Sequence, residues 1–181
     1  AYLSPETAQG VYMHFIEQFK ATRERLPLGL AIIDKAYRNE ISPRQMFFRL
    51  REFTQAELQI FFDSEKINEH ENWDEIKNYS LLIKFSNDEQ IKEISCDELN
   101  SKFQLPKFYL FHAAKVQQFY LNLLKVPKER FRLRELSAEE RAFYNKLHFD
   151  VEVNFDTLNG FKEVAGIHYR GDHDLSGHQK L

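Results

Sequence analysis

The chain has 181 residues, enough for one domain with its own hydrophobic core, and its 43% apolar and 14% aromatic content excludes a disordered protein. It has no apolar run of about 18 residues and no basic-then-apolar start, so we predict neither a membrane-spanning helix nor a signal peptide. The net charge of −3 argues against a general binder of polyanions, although a local basic patch would still allow contact with RNA. The single cysteine, Cys96, excludes an internal disulfide and favours the reducing environment of the cytoplasm.

The first third of the sequence predicts a helix followed by extended segments. Ser4-Pro5-Glu6 is typical of a helix start, because serine can cap a helix and proline suits its first turn. The apolar face of this helix continues to about residue 26, and Leu26-Pro27 ends it. Residues 28–33 predict a strand, and residues 37–41 predict a second strand-like piece. Ser42-Pro43 opens a loop, and residues 47–62 have extended or mixed character.

The middle of the chain predicts a polar connector, a hairpin and two helices. Residues 63–80 are polar and charged, whereas two short apolar runs beyond them flank Ser86-Asn87-Asp88, a plausible hairpin turn. Ser95-Cys96-Asp97-Glu98 fits a capping box, in which the serine and the glutamate satisfy free backbone N–H groups at a helix start. Residues 106–125 carry aromatic and aliphatic side chains at helical spacing and predict an amphipathic helix.

The last third predicts one more helix and a second hairpin. Ser137-Ala138-Glu139-Glu140 is a second capping box, from which we expect a helix to about Lys146. Apolar and polar residues alternate over residues 149–155, Leu158-Asn159-Gly160 is a hairpin turn, and residues 161–169 form the return strand. We therefore predict an α+β fold with a mainly antiparallel sheet flanked by helices. The sequence has six glycines and no glycine-rich phosphate loop, so nucleotide binding would rely on side chains.

Residues 38–57 concentrate the charges that carry chemistry, with four arginines and three glutamates in one short segment. Alternation along a strand would put Arg38 and Glu40 on one face. Arginine suits bidentate phosphate recognition, and an aromatic ring on the same face suits the stacking of a base. Such a site would hold a triphosphate and adenine, while the structural alternative is a solvated ladder of salt bridges. Alternation along the second strand would likewise put four side chains on one face: Arg49, Arg51, Phe53 and Gln55.

The same segment resembles motif 2 of the class II aminoacyl-tRNA synthetases. Tyr37-Arg38-Asn39-Glu40 stands for its first half, and Arg49-Leu50-Arg51-Glu52-Phe53 for its second. The sequence RNEISPR, followed by REFTQAE, is similar to the motif 2 sequences of the glycyl-tRNA synthetase family in particular. Two further segments resemble that family: LSPETAQG at residues 3–10, which has Ser4 where the family usually has Arg, and GIHYRGDHDLSGH at residues 166–178.

The resemblance implies an ATP site, since these enzymes activate an amino acid as its adenylate. Arg38 would hold the α-phosphate of ATP, orient the glycine carboxylate and act as the catalytic residue. Glu40 would contact the adenine side, Arg49 would reach the terminal phosphates, and Phe53 would stack on adenine. Positioning and charge neutralisation would suffice for this reaction, because no side-chain nucleophile is needed.

The resemblance also implies a glycine site and a partner. Glu6 and Glu57 would form an acidic pocket for the ammonium group, together with Arg38 at the carboxylate, and crowding would exclude any Cβ. Arg170 and Asp172 are expected to line the cleft. The implied partners are glycine, ATP and the acceptor end of tRNA(Gly), with a homodimer expected for the full-length enzyme.

The resemblance is to part of a catalytic domain. Motif 1, which forms the dimer interface, and motif 3, which supplies a second ATP arginine, are not found, and the chain begins with Ala1 rather than Met. We therefore expect residues 1–181 to be a partial catalytic domain with an insertion at about residues 63–135. Mg²⁺ is expected for the full-length enzyme through ligands outside this chain, and the chain alone is expected to be weak or inactive.

Several alternatives compete with these interpretations. A non-catalytic accessory or regulatory protein on the same fold would tend to lose the ATP and amino-acid ligands, and a class II-like amide ligase is a third candidate. His168, His173 and His178 suggest a metal site, but their spacing crosses from a strand into a turn, so we predict no metal there. A basic cluster would contact the acceptor stem or form a solvated edge: Lys125, Lys128, Arg130, Arg132 and Arg134.

Overall fold

The computed structural model describes residues 3–41 and 49–179, and the chain divides into two compact units. Unit 1 comprises residues 1–63 and 172–181, and unit 2 comprises residues 64–171. In the part of the chain that is described, no helix has the length and apolar character needed to cross a bilayer. The α+β class and the mainly antiparallel pairing that the sequence predicts are confirmed.

Unit 1 is a long hairpin packed against short helices. Its elements are α1 (Ala8–Met13), α2 (Phe15–Ala21), β1 (Leu28–Tyr37), β2 (Glu52–Phe61) and α6 (His173–His178). The two strands pair antiparallel in one unbroken register, from Leu28 opposite Phe61 to Tyr37 opposite Glu52. Because successive side chains alternate between faces, this register puts Leu28, Phe61 and their neighbours two residues along on one face of the hairpin.

That face forms the hydrophobic core of unit 1. Helix α1 contributes Val11 and Tyr12, which are buried against Leu28 and Phe61. Aromatic rings continue the core along α2, since the ring centroids of Phe15 and Phe61 lie 4.4 Å apart. Helix α1 is too short to be stable alone in water, so this packing is what holds it in place.

The N-terminal helix differs from the prediction at both ends. It begins at Ala8 instead of Ser4, because the carbonyl oxygen of Ser4 accepts a hydrogen bond from the backbone N–H of Tyr37 at 2.9 Å. Residues 4–6 are thus tied to the end of β1 and cannot join the helix. At the other end, α2 stops at Ala21 and positive φ angles follow at Arg23 (59°) and Glu24 (56°).

The strand boundaries also differ from the prediction. The two strand segments predicted at residues 28–33 and 37–41 are replaced by a single strand, β1, which runs to Tyr37, and residues 38–41 lie outside it. Strand β2 begins at Glu52, within the predicted extended stretch. The predicted loop at Ser42-Pro43, Arg44 of the motif and the start of the second stretch at Phe47 lie outside the described residues.

Unit 2 is built on a five-stranded sheet in the order β4-β3-β5-β6-β7, in which β3 and β5 are parallel and the other neighbours antiparallel. Its strands are β3 (Ser80–Lys84), β4 (Lys92–Ser95), β5 (Phe131–Glu135), β6 (Leu147–Phe155) and β7 (Gly160–Tyr169). Its α-helices are α3 (Trp73–Ile76), α4 (Cys96–Phe103) and α5 (Lys107–Gln118). Single turns of 3-10 or π-helix complete it: Ser64–Lys66, Phe119–Leu123, Lys128–Arg130 and Asp156–Leu158.

The two predicted hairpins of unit 2 are present, and so is the first capped helix. Strands β3 and β4 pair around the predicted turn, and β6 and β7 pair around Asn159, whose positive φ of 54° suits such a turn. Ser95 Oγ accepts a hydrogen bond from the backbone N–H of Glu98 at 3.2 Å, which is the serine half of the predicted capping box, while the Glu98 carboxylate accepts from Lys102 Nζ at 2.8 Å. Burial raises the pKa of the Cys96 thiol to about 12, which identifies this side chain as an unreactive packing group.

The second capping box forms without a helix. The backbone N–H of Ser137 donates to Glu140 Oε2 at 3.1 Å, and the backbone N–H of Glu140 donates to Ser137 Oγ at 3.3 Å. Residues 138–146 nevertheless form turns. A distant contact competes with the helix, because the backbone N–H of Lys146 donates to the carbonyl of Tyr169 in β7 at 2.7 Å. Two local contacts accompany it: Arg134 pairs with the Glu140 carboxylate, and Arg141 Nη1 donates to the carbonyl of Lys146 at 2.6 Å. Unit 2 begins near the start of the predicted insertion but extends to residue 171, so the insertion at about residues 63–135 stays a prediction.

Gln117 of α5 is a buried amide of unit 2 that joins the helix to the sheet. Its Oε1 accepts from the backbone N–H of Leu82 at 2.9 Å, while its Nε2 donates to the carbonyl of Ser80 at 2.9 Å and to the hydroxyl of Tyr79 at 3.1 Å. Both polar atoms of this side chain therefore have hydrogen-bond partners, in a part of the structure where an unpaired group would be costly.

We predict that Gln117→Leu lowers the free energy of unfolding of unit 2 by about 3 kcal/mol, because it leaves a buried N–H and a buried carbonyl without partners. Denaturant unfolding followed by the fluorescence of Trp73, which packs against this core and is the one tryptophan of the sequence, measures the effect. Gln118→Leu on the less buried neighbouring position is the control, and we expect it to cost no more than about 0.5 kcal/mol. Equal losses for the two variants would contradict the role of Gln117.

Candidate active site

The loop end of the β1–β2 hairpin, where Tyr37 pairs with Glu52, brings three segments of unit 1 together. The backbone N–H of Arg38 donates to the carbonyl of Arg51 at 2.9 Å, which extends the pairing one step beyond Tyr37 and Glu52. The bond from the N–H of Tyr37 to the carbonyl of Ser4 adds the N-terminal segment on the other edge of β1. Both halves of the predicted motif and the segment that carries Glu6 therefore meet at one place.

Arg38 lies over an aromatic ring at this end of the hairpin. Its Nε donates to the carbonyl oxygen of Pro5 at 3.3 Å, and its guanidinium carbon lies 5.1 Å from the centroid of the Phe53 ring. Phe53 is half-buried and sits opposite the fully buried Ala36, whereas Arg38 is exposed. A cation and an aromatic plate are thus side by side and accessible, which is the combination needed to hold a nucleotide.

Glu40 and Arg49 face each other across the same end. Arg49 Nη1 lies 3.9 Å from Glu40 Oε2, and the Arg49 side chain is 59% exposed. Arg51 Nε donates to the backbone carbonyl of Glu40 at 3.1 Å and holds the start of the loop. A long, solvated ion pair of this kind contributes at most about 1 kcal/mol, so Arg49 can leave Glu40 for a more strongly charged ligand at little cost.

The face assignments made from the sequence need correction. Strand β2 begins at Glu52, so Arg49 and Arg51 precede it and do not share a strand face with Phe53 and Gln55. Arg38 and Glu40 likewise follow the last residue of β1. Backbone hydrogen bonds between the segments, and not strand alternation, bring these side chains together.

Glu57 lies on the same face of β2 as Phe53, four residues further along and opposite Ile32. Its Oε2 accepts a hydrogen bond from Gln59 Nε2 at 3.2 Å, and Gln59 Oε1 in turn accepts from the hydroxyl of Tyr12 at 3.1 Å. The sequence analysis missed Tyr12 and Gln59. The position of Gln59, two residues after a strand glutamate, was the available signal for its contact with Glu57.

Comparison with known proteins assigns the fold. A profile of the tRNA synthetase class II core domain (G, H, P, S and T) matches residues 1–177. The chain belongs to the class II aminoacyl-tRNA synthetases. It is 40% identical to the glycine–tRNA ligase of Pyrococcus abyssi over the whole chain and 32% of that protein. It is also 40% identical to the enzyme of Thermococcus kodakarensis over 99% of the chain and 32% of that protein, and 38% identical to that of Methanothrix thermoacetophila over 99% and 31%.

The chain spans about a third of the length of these curated relatives. The family resemblance drawn from residues 3–10, 37–57 and 166–178 is thereby confirmed. Within this class II synthetase domain, the roles of individual side chains stay predictions. Glu6 is half-buried between the tied segment at Pro5 and the buried Thr7, and its part in binding glycine is one of them.

The two residues expected to line the synthetase cleft occupy different units. Arg170 follows β7 in unit 2, where its guanidinium carbon lies 4.4 Å from the ring centroid of Tyr144. Asp172 precedes α6 in unit 1, where its carboxylate accepts a hydrogen bond from Ser176 Oγ at 3.1 Å. Their place in the cleft stays a prediction.

The three histidines near the C-terminus have separate environments. His168 lies in β7, where its ring centroid is 4.0 Å from that of His148, whereas His173 and His178 begin and end α6. His178 Nε2 lies 3.2 Å from Gln9 Oε1. Across residues 3–41 and 49–179, no group of three or more His, Cys, Asp or Glu side chains is arranged to hold a metal ion.

The basic cluster of the synthetase domain is largely neutralised. Four of its cations contact carboxylates, in the pairs Lys128–Glu93, Arg130–Asp156, Arg132–Glu152 and Arg134–Glu140. Arg132 also stacks on the ring of Phe161 at 3.9 Å. Cations already paired in this way offer little net charge to an RNA backbone, so the geometry favours the structural alternative for this cluster.

We predict that His168 stays neutral down to acidic pH, because partial desolvation of its ring and the neighbouring His148 and Arg170 lower its pKa to about 4, from 6.5, although the residue is exposed at the edge of the sheet. A histidine whose pKa is lower in the folded state binds its proton more readily when unfolded, so stability should fall as the pH drops from 6.5 towards 4. NMR titration of the ring gives the pKa directly. In denaturant unfolding at pH 7 and 4.5, His168→Gln should lose less stability than the unchanged chain, and a normal pKa of His168 would contradict this account.

Proposed function

We propose that this chain is the part of a glycine–tRNA ligase that binds ATP and glycine for the formation of glycyl-adenylate. The observation that carries the proposal is the placement of the Arg38 guanidinium over the ring of Phe53. Phe53 lies in β2, and Glu57 lies on the same face of that strand. The relatives bearing the name glycine–tRNA ligase support the choice of glycine. An accessory protein without catalysis is disfavoured, because the side chains suited to both ligands are all retained.

ATP would bind at the end of the hairpin. Adenine would take the place on the Phe53 ring near which Arg38 now lies, and the Arg38 guanidinium would move to the α-phosphate, with its planar fork matching two phosphate oxygens. Glu40 would accept hydrogen bonds from the adenine side, and Arg49, released from its loose contact with Glu40, would reach the terminal phosphates. The exposure of both arginines leaves them room for these changes.

Glycine would bind further along β2. Its ammonium group would pair with the carboxylates of Glu57 and Glu6, and its carboxylate would approach Arg38. A carboxylate oxygen of glycine then attacks the α-phosphorus in line, the bond to the β-phosphate oxygen breaks, and pyrophosphate leaves. The residues of this chain hold the two reactants and neutralise charge, which is the main requirement of such a transfer.

The second step would use the acceptor end of tRNA(Gly). A ribose hydroxyl at the 3′ end attacks the carbonyl carbon of the adenylate, and AMP leaves. We expect the full-length enzyme to work in the cytoplasm and as a homodimer. Mg²⁺ is expected to assist activation in the full-length enzyme.

We predict that Arg38→Ala in the full-length enzyme lowers glycine-dependent exchange of pyrophosphate into ATP by about 100-fold, because one positioned charge at the reacting phosphate contributes roughly 3 kcal/mol. Arg38→Lys should recover only part of the rate, since lysine lacks the planar fork. Lys35→Ala is the matched control, because it removes a cation that pairs with Glu52 on the face of β1 opposite to Ala36 and Phe53. Exchange by Arg38→Ala within about threefold of the unchanged enzyme would remove Arg38 from the mechanism.

We predict that Glu57→Gln raises the KM for glycine by at least about tenfold while the KM for ATP changes little. The substitution keeps the shape of the side chain but removes the charge that would pair with an ammonium group, a contact expected to contribute about 1.5 kcal/mol or more. Steady-state exchange assays with either substrate varied separate the two constants. If both rise equally, Glu57 supports the strand and does not bind the amino acid.

A further inference from the structure

The carboxylate of Glu57 is held from the side opposite to its proposed ligand. Glu57 and Gln59 lie two residues apart on the same face of β2, so their side chains stand side by side about 7 Å apart at the backbone. The Gln59 amide closes this gap and donates from Nε2 to Glu57 Oε2 at 3.2 Å. A glutamate side chain has three rotatable bonds, and this contact selects one of its orientations.

The orientation of the Gln59 amide is itself fixed by a buried group. The hydroxyl of Tyr12 donates to Gln59 Oε1 at 3.1 Å, so the amide nitrogen is the end that faces Glu57. The reverse orientation would put the amide oxygen against a carboxylate oxygen and bring two acceptors together. Tyr12 is only 9% exposed, and its ring meets that of Phe61 edge-on with centroids 5.7 Å apart. Tyr12 is thus immobilised in the core of unit 1.

We propose that Tyr12 and Gln59 are positioning residues that aim the Glu57 carboxylate at the ammonium group of the amino-acid substrate. The Tyr12–Gln59 relay takes Oε2 of Glu57 and assigns the other oxygen, Oε1, to the substrate. The ligand class is a primary ammonium ion, which has only donors to offer and needs a fixed acceptor. This inference rests on the proposed role of Glu57 and adds the means by which that side chain is preorganised.

If Tyr12 and Gln59 position Glu57, their loss should raise the KM for glycine and leave the KM for ATP nearly unchanged, which a purely structural role would not do. Gln59→Met keeps the length and packing of the side chain but loses both hydrogen bonds, and the charge on Glu57 stays. We therefore expect the KM for glycine to rise about fivefold, less than when the charge itself is removed, with the KM for ATP changed by less than about twofold. Tyr12→Phe keeps the ring packed on Phe61 and removes only the hydroxyl, so we expect a rise of about threefold in the KM for glycine.

The test is a double-mutant cycle in the full-length enzyme, read as the KM for glycine and the KM for ATP. Because the two residues act through one chain of hydrogen bonds, the double variant should behave like Gln59→Met alone. Additive effects, or equal increases in both KM values, would overturn the relay. Leu58→Ala is the control on the same strand, since Leu58 is 61% exposed on the other face and should change neither constant.

The result for Glu57→Gln separates failure of the relay from failure of the glycine site. A high KM for glycine in Glu57→Gln with a normal value in Gln59→Met would overturn the relay and leave the site intact. A normal KM in Glu57→Gln would overturn both. Thermal unfolding followed by circular dichroism checks that each variant is folded. If Gln59→Met does not fold, the KM for glycine of Tyr12→Phe tests the relay instead.

Discussion

The register of the β1–β2 hairpin is the constraint on which the site depends. Tyr37 pairs with Glu52, and the bond between Arg38 and Arg51 continues the same ladder into the motif. Because side chains alternate between faces, a slip of one residue in the pairing would move Phe53 and all the remaining side chains of β2 to the opposite face of the hairpin. The register is secured at its other end by the buried pair of Leu28 and Phe61, so the core of unit 1 fixes the geometry of the site.

Charged groups serve two different purposes in this chain. In unit 2, Arg130, Arg132 and Arg134 each contact a carboxylate. Arg132 lies 2.5 Å from Glu152, and both side chains are largely covered. Removing one partner from such a pair would leave a covered charge unpaired, so these cations serve to stabilise the fold. At the end of the hairpin, Arg49 and Glu40 are 3.9 Å apart and Arg38 touches only a carbonyl oxygen and a ring among the contacts described above. Such weakly held cations are suited to binding an incoming anion.

Much of this organisation could be predicted from the sequence, because local signals and tertiary structure agree there. The turn at Asn159 and the cap at Ser95 are examples, and the motif around Arg38 indicated the family. The predictions failed where a distant contact outweighs a local preference. Ser4 has the sequence of a helix cap but bonds to Tyr37, and the box that starts at Ser137 closes its hydrogen bonds without a helix.

The Tyr12–Gln59 contact could not be predicted for the same reason. It joins residues 47 positions apart, and no local pattern marks it. By contrast, Glu57 itself could be singled out by the wording of the motif. The identity of candidate ligands is therefore readable from the sequence, whereas the groups that orient them depend on which helix covers the hairpin and in which register the strands pair.

A single strand sets the spacing between the two proposed substrates. Phe53 and Glu57 are four residues apart on one face of β2, which corresponds to about 13 Å along an extended backbone. Adenine at one end and an ammonium group at the other would therefore be held by the same element, and the reacting phosphate would need to lie within reach of Arg38, whose guanidinium is over Phe53. A strand paired along its length deforms little, so the distance between the ligands is set by the backbone and not by mobile loops. Selection for glycine would then be a matter of space, because a substrate fixed at both ends could not shift to make room for a Cβ.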